Sequence, residues 1–123
     1  MANEIKTVED IKKFLDETNS LHDGYITSVQ YSNDGITSER FDTTRARLVI
    51  KILVTSICDT IVELEFENIL KWQVRDDYSD ILDTTLLFDK NNSIIWATDV
   101  DINIDELTDS SYVIAKTMKW RFV

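Results

Sequence analysis

The sequence predicts an α+β domain, with one N-terminal helix packed on a mostly antiparallel sheet of about six or seven strands. Three observations carry that expectation. Apolar residues recur at helical spacing near the N-terminus only. From Tyr25 onward they recur at every second position, in one short segment after another. Clusters of Asn, Asp, Ser and Thr separate those segments. The 123 residues fit a single domain spanning 1–123, with no linker, repeat or low-complexity segment.

The helix is expected first. Val8, Ile11, Phe14 and Leu15 share one face, and Glu9, Lys12, Lys13 and Asp16 take the other. Thr7 suits the N-cap, and Asp10 three residues on completes a capping box with Asp in place of Glu. Asn19 and Ser20 end the helix. In the first strand Tyr25, Thr27, Val29 and Tyr31 fall on one face, and Asn33-Asp34-Gly35 offers a hairpin signal after it. Residues 36–44 read as a weak strand or a loop.

The central pair is the clearest. Ala46, Leu48, Ile50, Ile52 and Val54 alternate with Arg45, Arg47 and Lys51, while Val62, Leu64 and Phe66 alternate with Glu63, Glu65 and Glu67. A tight turn near Ser56–Cys58 sets Ile52 opposite Val62, Ile50 opposite Leu64 and Leu48 opposite Phe66. The same register sets Lys51 opposite Glu63 and Arg47 opposite Glu67, so packing and charge agree. Residues 68–82 read either as a strand through Leu70, Trp72 and Val74 or as a helical turn over Asp77–Leu82. A second hairpin follows, with Thr84, Leu86 and Phe88, a turn over Asp89–Ser93, and alternation from Ile94 to Ile104. The last strand puts Tyr112, Ile114, Met118, Trp120 and Phe122 on one face, with Lys116 as the exception.

Proline is absent and glycine occurs twice, so turns depend on Asn, Asp, Ser and Thr. No apolar run of about 18 residues exists, which argues against a membrane span. The polar, amphipathic segment Met1–Asp16 lacks the apolar core of a signal peptide. A single cysteine, Cys58, rules out an internal disulfide, and together these features suit a cytoplasmic protein.

The net charge is −10, and its placement matters more than its size. Ten acids stand between Asp76 and Asp109 against one base, Lys90, so this window holds about nine of the ten net charges. Such a field disfavours nucleic acid and anionic lipid and attracts a basic protein. Asp77, Asp80, Asp99, Asp101 and Asp105 are the expected partner-binding residues.

Catalytic and metal chemistry finds little support. His22-Asp23-Gly24 is the most enzyme-like triplet, since a carboxylate can orient an imidazole, and His22 and Asp23 are the candidates for a small-molecule pocket or a minor enzymatic role. The favoured reading is a helix-to-strand turn in which Asp23 accepts backbone bonds and Gly24 takes the difficult dihedrals. Asp99, Asp101, Asn103 and Asp105 alternate like a calcium loop, but Ile104 stands where the loop needs glycine and Ser110 where it needs glutamate. A solvated strand face explains them better. Cys58 has no partner at ligand or triad spacing, and no zinc, phosphate or dinucleotide motif is present, so no cofactor and no metal are expected. Trp72, Trp96 and Trp120 lie on apolar faces and read as core, with an anchor role open to one of them.

An N-terminal helix, Leu21-His22-Asp23 opening a strand, Val62-Glu63-Leu64-Glu65-Phe66 followed by Asn68-Ile69, and a closing Trp120-Arg121-Phe122 together resemble a set of small bacterial proteins. These carry an aromatic- or Leu-His-Asp motif early in a β-rich domain, and some are grouped with toxin-neutralising immunity proteins. The resemblance implies a bacterial cytosolic origin and a binding role. It carries no catalytic residues over. The expected function is therefore a non-enzymatic acidic binding protein, an immunity-type inhibitor of a basic partner. The alternatives are the small-molecule or enzymatic role of His22 and Asp23, and a homodimeric structural module that hides an edge strand.

Overall fold

A computed structural model describes residues 2–75, 80–99 and 110–123. The chain runs β1 (Asn3–Glu4), α1 (Val8–Glu17), β2 (Gly24–Asn33), β3 (Ala46–Val54), β4 (Thr60–Gln73), β5 (Thr85–Phe88), β6 (Ile94–Ala97) and β7 (Tyr112–Phe122). Among the described residues seven strands join one sheet in the order β2-β3-β4-β7-β6-β5, each pairing of them is antiparallel, and β1 adds to β7. The domain is α+β, with one helix on a mostly antiparallel sheet.

The helix starts as its cap chemistry requires. The Asp10 amide donates to Thr7 Oγ1 at 3.2 Å, and the Thr7 amide donates to Asp10 Oδ2 at 2.9 Å. Two of the amides that a helix N-terminus leaves without intrahelical partners are thereby satisfied. Ile11 and Phe14 are buried and Leu15 packs beside them, while Val8 stays exposed. The Thr18 hydroxyl donates to the Phe14 carbonyl and closes the C-terminus.

β3 and β4 pair in the expected register, with Ile52 opposite Val62, Ile50 opposite Leu64 and Leu48 opposite Phe66. All six of these side chains are fully buried. Lys51 faces Glu63 and Arg47 faces Glu67 in the ladder. The Arg47 guanidinium reaches diagonally to Glu65 instead, and Glu63 is taken by Arg121 of β7. A long side chain spans the diagonal as easily as the direct gap, so register alone did not decide these partners.

Strand parity breaks midway along β4 and β7. Phe66 and Ile69 both face the core although they stand three apart, and Asn68 between them has φ of 51°. On β7 the core residues Met118 and Ala115 are likewise three apart. Leu70 is then an extra residue, because Ile69 pairs with Ala115 while Lys71 pairs with Ile114. Such a bulge bends and twists the strand that carries it. The expected face of β7 is therefore corrected. Met118 and Trp120 enter the core, but so do Val113 and Ala115. Tyr112 and Ile114 lie on the opposite face, in a small cluster with Ala97. Lys116 donates to the Ser93 hydroxyl, and Phe122 is half exposed with its ring edge-on to Trp120.

The bend carries the far half of β4 back over the face of β2 and β3, so that Trp72 stacks on Tyr31 at 5.4 Å. A single bridge between Gly24 and Ile81 joins the start of β2 to the segment before β5. The sheet thus curls around one main core that includes Phe14, Phe66, Trp96 and Trp120. β6 departs from the expected alternation, since Ile94, Ile95, Trp96 and Ala97 are all buried. It ends at Ala97, and the expected continuation through Asp101 to Ile104 lies outside the described residues. The strand reading of residues 68–82 holds as far as Gln73. Asn33-Asp34-Gly35 begins a longer excursion, in which Ile36 bridges Phe41 before β3 starts.

Phe66 is fully buried at the centre of the sheet and tilts against Trp96 at 6.1 Å. Phe66→Ala is expected to lower unfolding free energy by about 3–5 kcal/mol, measured by denaturant titration, because it removes apolar contact and leaves a cavity. A loss under about 1 kcal/mol would contradict this packing.

Candidate functional site

The residues that sequence reasoning singled out near His22 meet at one end of the sheet. After Thr18 the chain makes an unusual turn: Asn19, Ser20 and Leu21 all have positive φ, at 53°, 53° and 57°, and Asp23 follows at 57°. Asparagine and aspartate tolerate this region, but Ser20 and Leu21 adopt it at a cost of about 1–2 kcal/mol each. Complete burial of the Leu21 side chain offsets part of that cost.

Hydrogen bonds hold the turn from three sides. Ser56 Oγ donates to the His22 carbonyl at 2.5 Å and accepts from Asn19 Nδ2 at 3.1 Å. The Thr55 hydroxyl and amide both donate to the Asp23 carbonyl, at 2.9 and 3.3 Å. The Asp23 amide donates to the Ile81 carbonyl, and the Ile81 amide to that of Gly24. Thr55 and Ser56 belong to the 3-10 turn Thr55–Ile57 that links β3 to β4. Cys58 and Asp59 complete that link, both with positive φ, and Cys58 is exposed.

The role expected of Gly24 is corrected. Its φ is not positive, and Asp23 takes the left-handed conformation. Glycine is required here for space. A Cβ on residue 24 would stand 2.6 Å from the Leu21 carbonyl oxygen and 2.9 Å from Ile52 Cγ2.

His22 projects outward from this braced turn. Its Nδ1 donates to the Leu82 carbonyl at 2.5 Å, and its Nε2 lies 3.6 Å from Asp23 Oδ2. About half of each side chain is exposed. The Leu82 carbonyl is the main cause of a pKa raised above the ordinary histidine value of 6.5. The Asp23 carboxylate adds to the rise, desolvation opposes it, and Asp83 and Asp80 contribute further attraction.

Of the expected partner-binding acids, Asp80 and Asp99 are described, whereas Asp77, Asp101 and Asp105 lie outside the described residues. Asp80 is half-buried and acts on His22 through its charge. Asp99 is exposed, and its carbonyl accepts from the Thr85 hydroxyl at the open end of the β5–β6 pair. Asp83, whose Oδ1 accepts from the Thr84 amide, joins the group around His22. Sequence reading did not select Asp83, Thr55 or Ser56. Nothing local marks them, because they reach the site only when β3, β4 and β5 are in place.

A second feature lies on the outer face of β3, β4 and β7. A shallow groove there is lined by Ala2, Arg47, Glu63, Glu65, Lys119, Trp120 and Arg121. Arg121 Nε donates to Glu63 Oε2 at 2.6 Å, which raises the arginine pKa, and Arg47 Nε donates to Glu65 Oε1 at 2.5 Å. These acids and bases satisfy one another. Neither His22 nor Asp23 lines the groove. Among the described residues no group of three or more His, Cys, Asp or Glu is placed to hold a metal ion. No helix among them is long and apolar enough to cross a membrane.

Two predictions follow from the braced turn. Gly24→Ala is expected to destabilise the fold by about 1–3 kcal/mol in thermal or denaturant unfolding, through the clash with the Leu21 carbonyl. For His22, an NMR titration of the ring is expected to give a pKa above 6.5. Asp23→Asn should lower it while leaving the part due to Leu82 in place. Because the folded-state pKa is the higher one, this contribution to stability is full below the unfolded value and is lost as pH rises through the folded value. His22→Gln should remove that slope. A ring pKa at or below 6.5 would overturn the assignment.

No family model, no curated protein and no solved structure matches the chain.

Proposed function

We propose that this chain is a non-enzymatic binding domain that uses an acidic surface to dock a basic protein partner, in the manner of an immunity-type inhibitor. The observation that carries the reading is the concentration of charge. Residues 76–109 hold ten acids and one base in a chain of net charge −10. Of the described acids of that window, Asp80 and Asp83 join Asp23 around His22, Asp99 lies at the open end of the β5–β6 pair, and Asp89 stands in the turn at its other end. Aligned like charges raise the local potential, speed encounter with an opposite surface and suppress binding to nucleic acid.

The condition of His22 supports the same reading. Its Nδ1 is committed to a backbone carbonyl and its ring sits on an exposed turn. Protonated, it offsets part of the acidic field; neutral, it leaves the field at full strength. That arrangement suits tuning of a charged surface better than proton transfer inside a pocket.

The reading is tested by capture from lysate of the source organism on immobilised protein, eluted with a salt gradient. A basic protein retained at about 50 mM salt and released by about 500 mM is expected, since screening shortens the reach of surface charge. A variant with Asp77, Asp80, Asp99, Asp101 and Asp105 changed to Asn should fail to retain it. Equal capture by that variant would sink the proposal.

A further inference from the structure

β2 stands at one edge of the sheet, and its features are unusual for an exposed edge. Among the described residues its outer side is paired only at Gly24, through the bridge to Ile81. The strand is ten residues long. The other free edges are shorter, four residues in β5 and two in β1. An open edge presents unpaired amide and carbonyl groups that template further pairing, and proteins usually blunt it with charge or proline. β2 has neither: Gly24-Tyr-Ile-Thr-Ser-Val-Gln-Tyr-Ser-Asn33 contains no ionisable acid or base other than tyrosine. Its single interruption is a register shift between Ile26 and Ser28, which leaves Ser28–Asn33 as an unbroken edge. Val29 and Tyr31 follow the core parity of their partners Ile50 and Leu48, yet they remain 39% and 46% exposed.

Charge identifies what this edge receives. Residues 24–54 contain three acids (Asp34, Glu39, Asp42) and four bases (Arg40, Arg45, Arg47, Lys51), so they carry +1 of a total of −10. A basic protein gains nothing from Ser28–Asn33 and is drawn to the acids beyond the Gly24 end of the strand, where Asp23, Asp80 and Asp83 gather. A second copy of this chain, repelled by that acidic region, approaches most easily at the surface with the least negative charge. We propose that the chain forms a homodimer by antiparallel pairing of Ser28–Ser32 with the same segment of a second copy, about a two-fold axis centred on Gln30. A two-fold contact is self-complementary, and an uncharged strand meets itself without repulsion. The two sheets then continue across the interface at the ordinary strand spacing of about 4.8 Å, and the exposed Tyr31 of each copy lies opposite the exposed Val29 of the other. This inference is independent of the acidic docking reading, and salt separates the two. Screening weakens docking of a basic partner, but it strengthens association between two copies that each carry −10.

The test is sedimentation velocity with light scattering on the full chain, over about 1 to about 500 μM protein, where a strand-sized contact at the small end of specific interfaces dissociates. A species of twice the 14.3 kDa chain mass is expected, with a dissociation constant that falls several-fold between low and high salt. The double variant Ser28→Glu with Ser32→Glu places acids opposite Lys51 and Arg47 of its own β3, which favours the monomer's fold, and sets four acids against one another across the two-fold. It should remain at the chain mass with an unchanged circular dichroism spectrum. Asp80→Asn with Asp83→Asn should leave the dimer intact. In wild type, amides of Ser28–Ser32 should exchange more slowly at high than at low protein concentration, a readout that needs no variant. A chain that stays monomeric throughout, a dimer that survives the double variant, or association weakened by salt would each overturn the proposal.

Discussion

The antiparallel pair of β4 and β7 is the constraint on which the rest of the molecule depends. Among the described residues these are the two longest strands, at fourteen and eleven residues. Every other layer is built from them. β3 and β2 extend the sheet from β4, while β6, β5 and β1 attach to β7. Inside, Val62, Leu64 and Phe66 meet Trp120 and Met118, and α1 closes over them with the Phe14 ring edge-on to Trp120 at 5.3 Å. Outside, Glu63 and Glu65 alternate with these apolar positions and take Arg121 and Arg47. Exposed pairs of this kind add about 0–1 kcal/mol each, so the core carries the stability and the ladder of charge reinforces register.

The shape of the domain follows from where that pair is interrupted. A regular pair of this length would make an open, gently twisted sheet with one face uncovered. The left-handed Asn68 and the extra residue Leu70 reverse the strand's parity and bend it. The far half then folds back, Trp72 reaches Tyr31, and the start of β2 meets Ile81. The same closure delivers Leu82 and the carboxylates of Asp80 and Asp83 to His22. Backbone strain at Ser20 and Leu21 is held in place by Thr55 and Ser56 from the β3–β4 link. The candidate site is thus a consequence of sheet closure and not of any local motif.

Several features were legible because their causes are local. The capping box of Thr7 and Asp10 needs three residues of helix, and the β3–β4 register needs a short link and matching alternation. Both were readable, and both appear as expected. The face assignment of β7 was not. Counting alternate residues back from Trp120 put Tyr112 and Ile114 in the core, because an undetected break near Asn68 and Leu70 is shared by both strands. The burial of Ile95 and Ala97 was hidden for a similar reason, since the cluster that covers Ala97 comes from β7. His22 and Asp23 could be named from sequence, yet the atom that governs the imidazole is a backbone carbonyl sixty residues away.

By itself the sequence determined the class of the fold, the helix and its cap, the central hairpin with its register, and the uneven placement of charge. Each depends on spacing or composition within a few residues, where side-chain period and cap geometry act directly. Only the tertiary structure decided the curl of the sheet, the second face of β6 and β7, the spatial need for glycine at position 24, and the grouping of Asp23, Asp80 and Asp83 around His22. Those features arise from contacts between segments far apart in the chain. Such contacts form only where bulges, left-handed residues and core volume are compatible at once, and no short window of sequence encodes that sum.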